Sequence, residues 1–293
     1  QIASCGLDAG SISFPFRREL RKGRAKGAEY RLGQVTDINA AEQTVSTQYE
    51  TIHYDILVLA AGTTNNFFGN PDLIKKVYTL KSASEAQRIR DEVLQRLERA
   101  SLEPDAEKRR QLLSFTVIGG GATGVEVAGA LGEMKRYIIP REYTAIPASE
   151  VKITIVEGTG SLLGAMSRNA QSKAREYLGK LGVDVVLNHF LKSYEGHTAL
   201  LDNGDEIPSG MVIWTAGIVA NSFNFTGFSP ALARGGRIKV DSRNLADGSN
   251  NIYVVGDMAY MSTDYYPSGH PQLAQVAIQQ LSLIHISEPT RRS

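Results

Sequence analysis

A strand, three glycines and a helix in close succession constrain this chain more than any other feature. Residues 114–126 read SFTVIGGGATGVE. The apolar run Phe115–Ile118 has the length and bounds of a buried strand. Gly119, Gly121 and Gly124 follow in G-x-G-x-x-G spacing, and Val125–Met134, rich in Ala, Gly, Val and Leu, predicts a helix packed closely on a sheet. Each glycine has its own mechanical role. The first turns tightly out of the strand, the second lets backbone approach a pyrophosphate, and the third seats the helix against its strand. The helix N-terminus then offers unpaired N–H groups and a positive dipole end to phosphates. The spacing alone is weak evidence. Between a strand and a helix, it points to dinucleotide binding rather than to a plain glycine-rich turn.

The next strand supports that reading. Val151–Glu157, VKITIVE, is apolar and ends in an acid. An acid at that point of the motif bonds the ribose 2′-hydroxyl. Glu157 lies 38 residues beyond Gly119, against the roughly 20 of the usual pattern. The stretch Tyr137–Glu150, with Pro140 and Pro147, reads as an excursion that accounts for the excess. A carboxylate at Glu157 would repel a 2′-phosphate, which favours NADH over NADPH. The bland alternative is an exposed glutamate at a strand end.

The totals exclude several classes. At 293 residues, more than one domain is expected. A net charge of +1 gives no general case for nucleic acid as a partner. The one cysteine, Cys5, rules out an intrachain disulfide and any cysteine-based metal site, and the five histidines have no zinc-type spacing, so no metal is expected. No apolar run reaches the ~18 residues of a membrane span. The chain opens without Met, as QIASCGLDAG, and ends in LSLIHISEPTRRS. The tail resembles the translated sequence of a transposase-type sequencing-library adapter, so residues 281–293 are set apart as an expected artefact.

Elsewhere the pattern alternates between strands and helices. Tyr30–Asn39 and Gln43–Glu50 read as antiparallel strands, and YDILVLAAG from Tyr54 reads as a buried strand closed by Gly62. Ser82-x-x-Glu85 is a capping box ahead of Ile89, Val93, Leu94 and Leu97, so a helix is expected over Ser82–Ala100. Leu102–Arg110 reads as a linker. Asn169–Leu181 is a helix stopped by Gly182, followed by a strand at Val183–Asn188, a small meander through Asn203-Gly204, and a buried strand Met211–Trp214. Asn251–Val255 is a strand that stops at Gly256-Asp257. Gln272–Gln280 closes the pattern as a helix. Strands that end in small residues lie on both sides of the glycine unit, at Ala61-Gly62 and Gly256-Asp257, which suggests one nucleotide-binding domain inserted into another.

Taken together, QIASCGL, YDILVLAAGTTNNFFG, FTVIGGGATGVEVAGAL, ITIVEG, VIWTAG, NIYVVGDMA and HPQLAQVAIQQ resemble the type II NADH dehydrogenases, the single-subunit, non-pumping NADH:quinone oxidoreductases. The last motif is the most specific. The others are shared by many two-dinucleotide flavoproteins. The resemblance spans residues 1–280. It implies an α/β fold of two doubly wound, Rossmann-like domains, the NADH domain inserted into the FAD domain. The first part of the FAD domain would be 1–113, the NADH domain 114–217, and the second FAD part, with the quinone-site helix, 218–280. The family's first glycine fingerprint and its C-terminal membrane-attaching helices are not in the sequence, which is expected to be cut short at both ends. Peripheral attachment at the cytoplasmic face of a bacterial inner membrane is implied, and a homodimer is compatible with it.

The resemblance also assigns roles. Gly119, Gly121, Gly124, Glu157, Ala216 and Gly217 would hold NADH. Ala61, Gly62, Gly256 and Asp257 would hold FAD, with Asp257 on the ribityl chain. Glu126, in the first turn after Gly124, would lie near the two rings and relay protons or steer NADH. Its bland role is to complement the helix dipole. Gln275 and Gln279, four apart on one helix face, would line the slot for a membrane quinone. Cys5 would lie near the flavin, but a lone thiol makes no redox pair. Two alternatives stay open. One is a sulfide:quinone or disulfide-type reductase, which needs catalytic cysteines absent from Ser114 to Gln280. The other is an NADH-sensing, non-catalytic flavoprotein like the apoptosis-inducing-factor relatives.

Overall fold

The computed structural model describes residues 2–3, 6, 8–12, 14–21 and 27–287. Cys5, residues 22–26 and the tail from 288 lie outside the described residues. The chain divides into two compact units, one made of Gln1–Phe14 and Asn65–Gly217, the other of Pro15–Thr64 and Ile218–Ser293. The sequence places the first boundary at residue 113. The structure moves it upstream to residue 64, because the segment between packs on the glycine-motif sheet. The strand Tyr78–Thr79 joins that sheet, and the helix Ala83–Leu102 buries Ile89, Val93 and Leu97 in its core.

The first unit is built on five parallel strands in the order Tyr78–Thr79, Met211–Trp214, Ser114–Ile118, Lys152–Glu157, Asp184–Leu187. The central strand Ser114–Ile118 is buried at every residue, as a strand covered on both faces must be. The next strand in sequence lies on one side of it and the last on the other, so the order reverses there. Ligands of open α/β sheets bind outside the strand ends at such a reversal. The helices Ala122–Glu133 and Arg168–Lys180 pack against each other, and Ala128, Leu131 and Leu178 join one core with Phe115, Val117 and Ile155. A three-stranded antiparallel meander, Leu191–Glu195, Thr198–Leu201 and Glu206–Pro208, completes the unit.

Two local expectations fail here for identifiable reasons. The helix from Ala122 does not give way to an excursion before Pro140. It widens into a π turn at Met134–Ile138 and continues through Ile139–Glu142. Proline has no N–H for the α-helical bond to the residue four back, and a wider turn accommodates that loss without stopping the chain. The supposed linker at 102–110 contains a second helix, Ala106–Leu112. Asp105 caps it by accepting from the Glu107 and Lys108 N–H groups.

In the second unit, Val35–Asn39, Thr44–Thr47, Thr51–His53 and Phe225–Thr226 make a four-stranded sheet. Leu57–Leu59 pairs in parallel with Ile252–Val254. The sequence reads the first of these as a buried strand. The structure leaves Ile56 and Val58 49% and 40% exposed, because among the described residues this strand has a partner on one side only. A second parallel pair joins Ile238–Val240 to Ala259–Met261. The last helix is Ala274–Ser287. It starts later than expected and runs past Gln280, since Leu281–Ser287 holds neither Gly nor Pro; Ile284 is buried beside Tyr253 and Val255. No described helix is long and apolar enough to cross a membrane.

Candidate dinucleotide sites

The glycine loop in the first unit can be read atom by atom. Gly119 has φ +108, and a Cβ there would stand 2.7 Å from the Ala216 N. The end of the Met211–Trp214 strand therefore crosses against the loop. Thr215 fixes that crossing: its N–H donates to the Ile118 carbonyl at 2.8 Å, and its hydroxyl donates to the same oxygen at 2.9 Å. At Gly124 a Cβ would fall 1.8 Å from the Gly119 carbonyl oxygen. That is the close helix–strand contact expected of the third glycine.

Gly121 is different, since nothing lies within 4 Å of where its Cβ would be. It is the N-cap of the helix Ala122–Glu133 and provides no side-chain cap. The N–H groups of the first turn thus receive no side-chain cap from Gly121 at an exposed end, an arrangement whose geometry and dipole suit an anion.

Glu157 stands beside this loop. One carboxylate oxygen accepts from the Gly120 N–H at 2.6 Å, and the other accepts from the N–H and the hydroxyl of Thr159, each at 2.8 Å. The acid at the strand end thus also holds the loop in shape. Glu126 is exposed on the first turns of the helix and lines a cleft of about 670 Å³ with Thr123, Val127, Leu80, Ser82 and Ala86.

Ala216 lies against the loop at Gly119, and Gly217 follows it. Gly217 has φ +70, and a Cβ there would meet the Phe68 ring at 2.4 Å. Its lack of a side chain therefore makes room for an aromatic ring of the same unit. Phe67 stacks on Trp214 with ring centres 5.3 Å apart, and the indole N–H donates to the Asn66 carbonyl.

The second unit carries the other candidates. Gly62 has φ +66 with open space around it, and the exposed Ala61 gives its N–H to the Met258 sulfur. Asn221 holds both residues, its side-chain amide donating to the Ala61 carbonyl and its N–H to the Gly62 carbonyl. Gly256, with φ +69, starts a short turn that contains Asp257.

Arg237 is a residue that the sequence does not single out. Its guanidinium donates to the Ala259 and His270 carbonyls and stacks over Tyr260. Burial lowers its pKa, while the charge of nearby Asp257 works in the opposite direction.

The closing segment carries four glutamines, Gln272, Gln275, Gln279 and Gln280. Gln275 and Gln279 are exposed. The glutamines that reach the Gly256–Asp257 turn are Gln272 and Gln280. Helical spacing predicts which residues share a face, but not which face meets a turn formed earlier in the chain. Among the described residues, no group of three or more His, Cys, Asp or Glu side chains is placed to hold a metal ion.

Comparison with known proteins shows the family of the chain. The family model of the pyridine nucleotide-disulphide oxidoreductases matches residues 3–280. The type II NADH:quinone oxidoreductase Ndh of Mycobacterium tuberculosis is 31% identical over 95% of this chain and 61% of its own length. A probable NADH dehydrogenase of Dictyostelium discoideum is 33% identical over 93% of this chain and 60% of its own. The chain thus spans about three-fifths of the curated relatives it matches. NDH2 of Plasmodium falciparum, solved in complex with NADH, shares the fold with a TM-score of 0.81 at 24% identity, over 89% of this chain and 56% of that one. With its glycine loop, its reversal of strand order and this match along nearly its whole length, the chain belongs to the pyridine nucleotide-disulphide oxidoreductase family, and its resemblance to the type II NADH dehydrogenases extends to the curated relatives.

Proposed function

We propose that this chain is the nucleotide-binding part of a non-pumping NADH:quinone oxidoreductase that uses FAD. The observation that carries the reading is the open face of Gly121 at the free helix N-terminus, beside the Glu157 carboxylate. That arrangement suits a pyrophosphate on the Gly119–Gly124 loop and a ribose at Glu157. The residues of the second unit fit a flavin nucleotide in kind: a glycine with open space at Gly62, a small exposed residue at Ala61, and a carboxylate at Asp257 on a turn opened by Gly256. FAD, when bound, supplies the two-electron chemistry.

The chain's own residues would then bind and orient. Glu157 would favour NADH over NADPH by repelling a 2′-phosphate. Glu126 would present a carboxylate on the helix that carries the glycine loop, suited to steering the nicotinamide end or passing a proton. A quinone acceptor is what the name of the Mycobacterium tuberculosis relative supports; peripheral attachment at the cytoplasmic face of a bacterial inner membrane belongs to the same reading and rests on the family resemblance of the HPQLAQVAIQQ segment, whose exposed Gln275 and Gln279 would meet the acceptor.

Trp214, the single tryptophan, stands two residues before Ala216, so its emission reports on the nicotinamide site. Titration of the 293-residue chain with NADH is expected to quench it to saturation, at lower concentrations than NADPH requires. With FAD added, NADH is expected to be oxidised by a short-chain ubiquinone. Absence of quenching would remove the NADH site. FAD uptake and NADH quenching without quinone-dependent oxidation would remove the acceptor.

A further inference from the structure

Two glutamines to which the resemblance assigns no role hold the turn proposed to carry FAD, one from the closing helix and one from just before it. Gln280 is 5% exposed, and its Oε1 accepts from the Gly256 N–H at 2.7 Å. Gln272 gives its Nε2–H to the Asp257 carbonyl at 3.0 Å. Asn244, fully buried in a left-handed conformation with φ +68, gives its side-chain N–H to the Gln280 carbonyl at 3.1 Å. The Gly256 position also faces the Ala277 methyl, 3.4 Å from where a Cβ would stand. The turn is therefore gripped on both sides of Asp257: at the N–H that precedes it by Gln280, and at its own carbonyl by Gln272.

The chemistry of the grip is specific. The strand Ile252–Val254 ends before Gly256, so no strand ladder collects the N–H of this half-buried residue, and an N–H withdrawn from water without an acceptor is costly. Gln280 supplies that acceptor from the helix. Its Nε2 and the Asn244 Oδ1 are buried without a hydrogen-bond partner among the described residues. The bond that Gln280 makes is thus the one through Oε1, and that bond sets the turn.

We propose that Gln280 and Gln272 are positioning residues. They fix the backbone that carries the Asp257 carboxylate, Gln280 from the helix Ala274–Ser287 and Gln272 from the segment just before it, so that the hold on this turn and the binding of FAD at Asp257 are linked free energies. The inference rests on the reading of Asp257 as an FAD ligand.

The test uses the 293-residue chain with two readouts, amide hydrogen exchange without cofactor and the dissociation constant of FAD. In Gln280→Leu, exchange at 256–258 is expected to accelerate about tenfold or more, with 252–254 unchanged, and FAD affinity to fall roughly tenfold. Gln280→Glu keeps the acceptor oxygen and is expected to restore both values to within about threefold. Gln272→Ala, at a half-buried position, is expected to shift both in the same direction by about two- to fivefold, and it decides the matter if Gln280→Leu fails to fold. Unchanged exchange at Gly256 in Gln280→Leu, or no rescue by Gln280→Glu, overturns the proposal. If the unaltered chain binds no FAD, the flavin reading fails and the exchange readout alone decides the clamp.

Discussion

Gly121 and Gly124 lie three residues apart and differ entirely in what surrounds them. A methyl group on Gly121 would meet nothing within 4 Å, at an extended φ of −71 and ψ of −176 that alanine adopts freely. On Gly124 it would collide with the Gly119 oxygen at 1.8 Å. Gly121→Ala is therefore expected to leave the melting temperature within about 1 °C and to weaken NADH binding tenfold or more, because a methyl group displaces phosphate from the backbone. Gly124→Ala is expected to destabilise the chain by about 3 kcal/mol or more, since backbone cannot yield to a Cβ. Thermal melts paired with Trp214 quenching separate the two; equal binding loss with equal stability would contradict the geometry. The different surroundings of these glycines were legible because the motif encodes local mechanics within a few residues. Gln272, Gln280 and Arg237 were not, since their partners are backbone groups on other elements, and nothing in a sequence says which carbonyl or N–H a side chain will find.

The helix Ala83–Leu102 shows what is legible at the scale of an element. Its capping box is complete: the Ser82 hydroxyl accepts from the Glu85 N–H at 3.2 Å, and the Glu85 carboxylate accepts from the Ser82 N–H at 2.8 Å. Ser82→Ala is expected to cost about 1 kcal/mol, read as a shift of about 2–4 °C in melting temperature. Glu85 adds a pH dependence. Burial alone would raise its pKa, but hydrogen bonds from the Thr79 hydroxyl and the Lys81 and Ser82 N–H groups outweigh that and hold it below the ordinary 4.5. A carboxyl group with a lowered pKa in the folded state stabilises above its unfolded value, and that contribution is lost as the pH falls through the folded value. Glu85→Gln should thus be less stable than the parent at pH 7, with the gap closing below about pH 4.5; a gap independent of pH would exclude the carboxylate. The capping box was readable because Ser and Glu stand in register ahead of an apolar stripe. The helix Ala106–Leu112 has the same kind of start, an Asp105 cap, but no residue of it is buried. Without an apolar stripe there was no periodicity to find.

At the scale of the whole molecule, the two units differ in how the chain enters them. The first is almost contiguous, with every strand of its parallel sheet and meander between Tyr78 and Trp214. The second is assembled from two separated segments whose parallel pairing joins Leu57–Leu59 to Ile252–Val254. The insertion of one nucleotide-binding unit into another was legible from strand endings on either side of the glycine motif. Its upstream boundary was not, because a short strand and a helix that precede the motif in sequence belong to its sheet in space. This contrast makes a prediction. A polypeptide of residues 65–217 keeps the sheet, the glycine loop, Glu157 and Trp214, and among the described residues it loses Ile2 and Ala3 from the buried core. The lost isoleucine costs about 1.5–3 kcal/mol of burial, within reach of a domain whose stability is about 5–15 kcal/mol. The piece is expected to melt cooperatively at a lower temperature than the corresponding transition of the whole chain, and to show the same NADH quenching of Trp214. Residues 15–64 and 218–293, produced as two separate chains, are expected to stay unfolded until mixed, since neither can pair Leu57–Leu59 with Ile252–Val254 alone. Circular dichroism of each piece and of the mixture checks this. A folded 218–293 alone, or a 65–217 piece that melts without cooperativity, would show that the division into units does not describe how the chain folds.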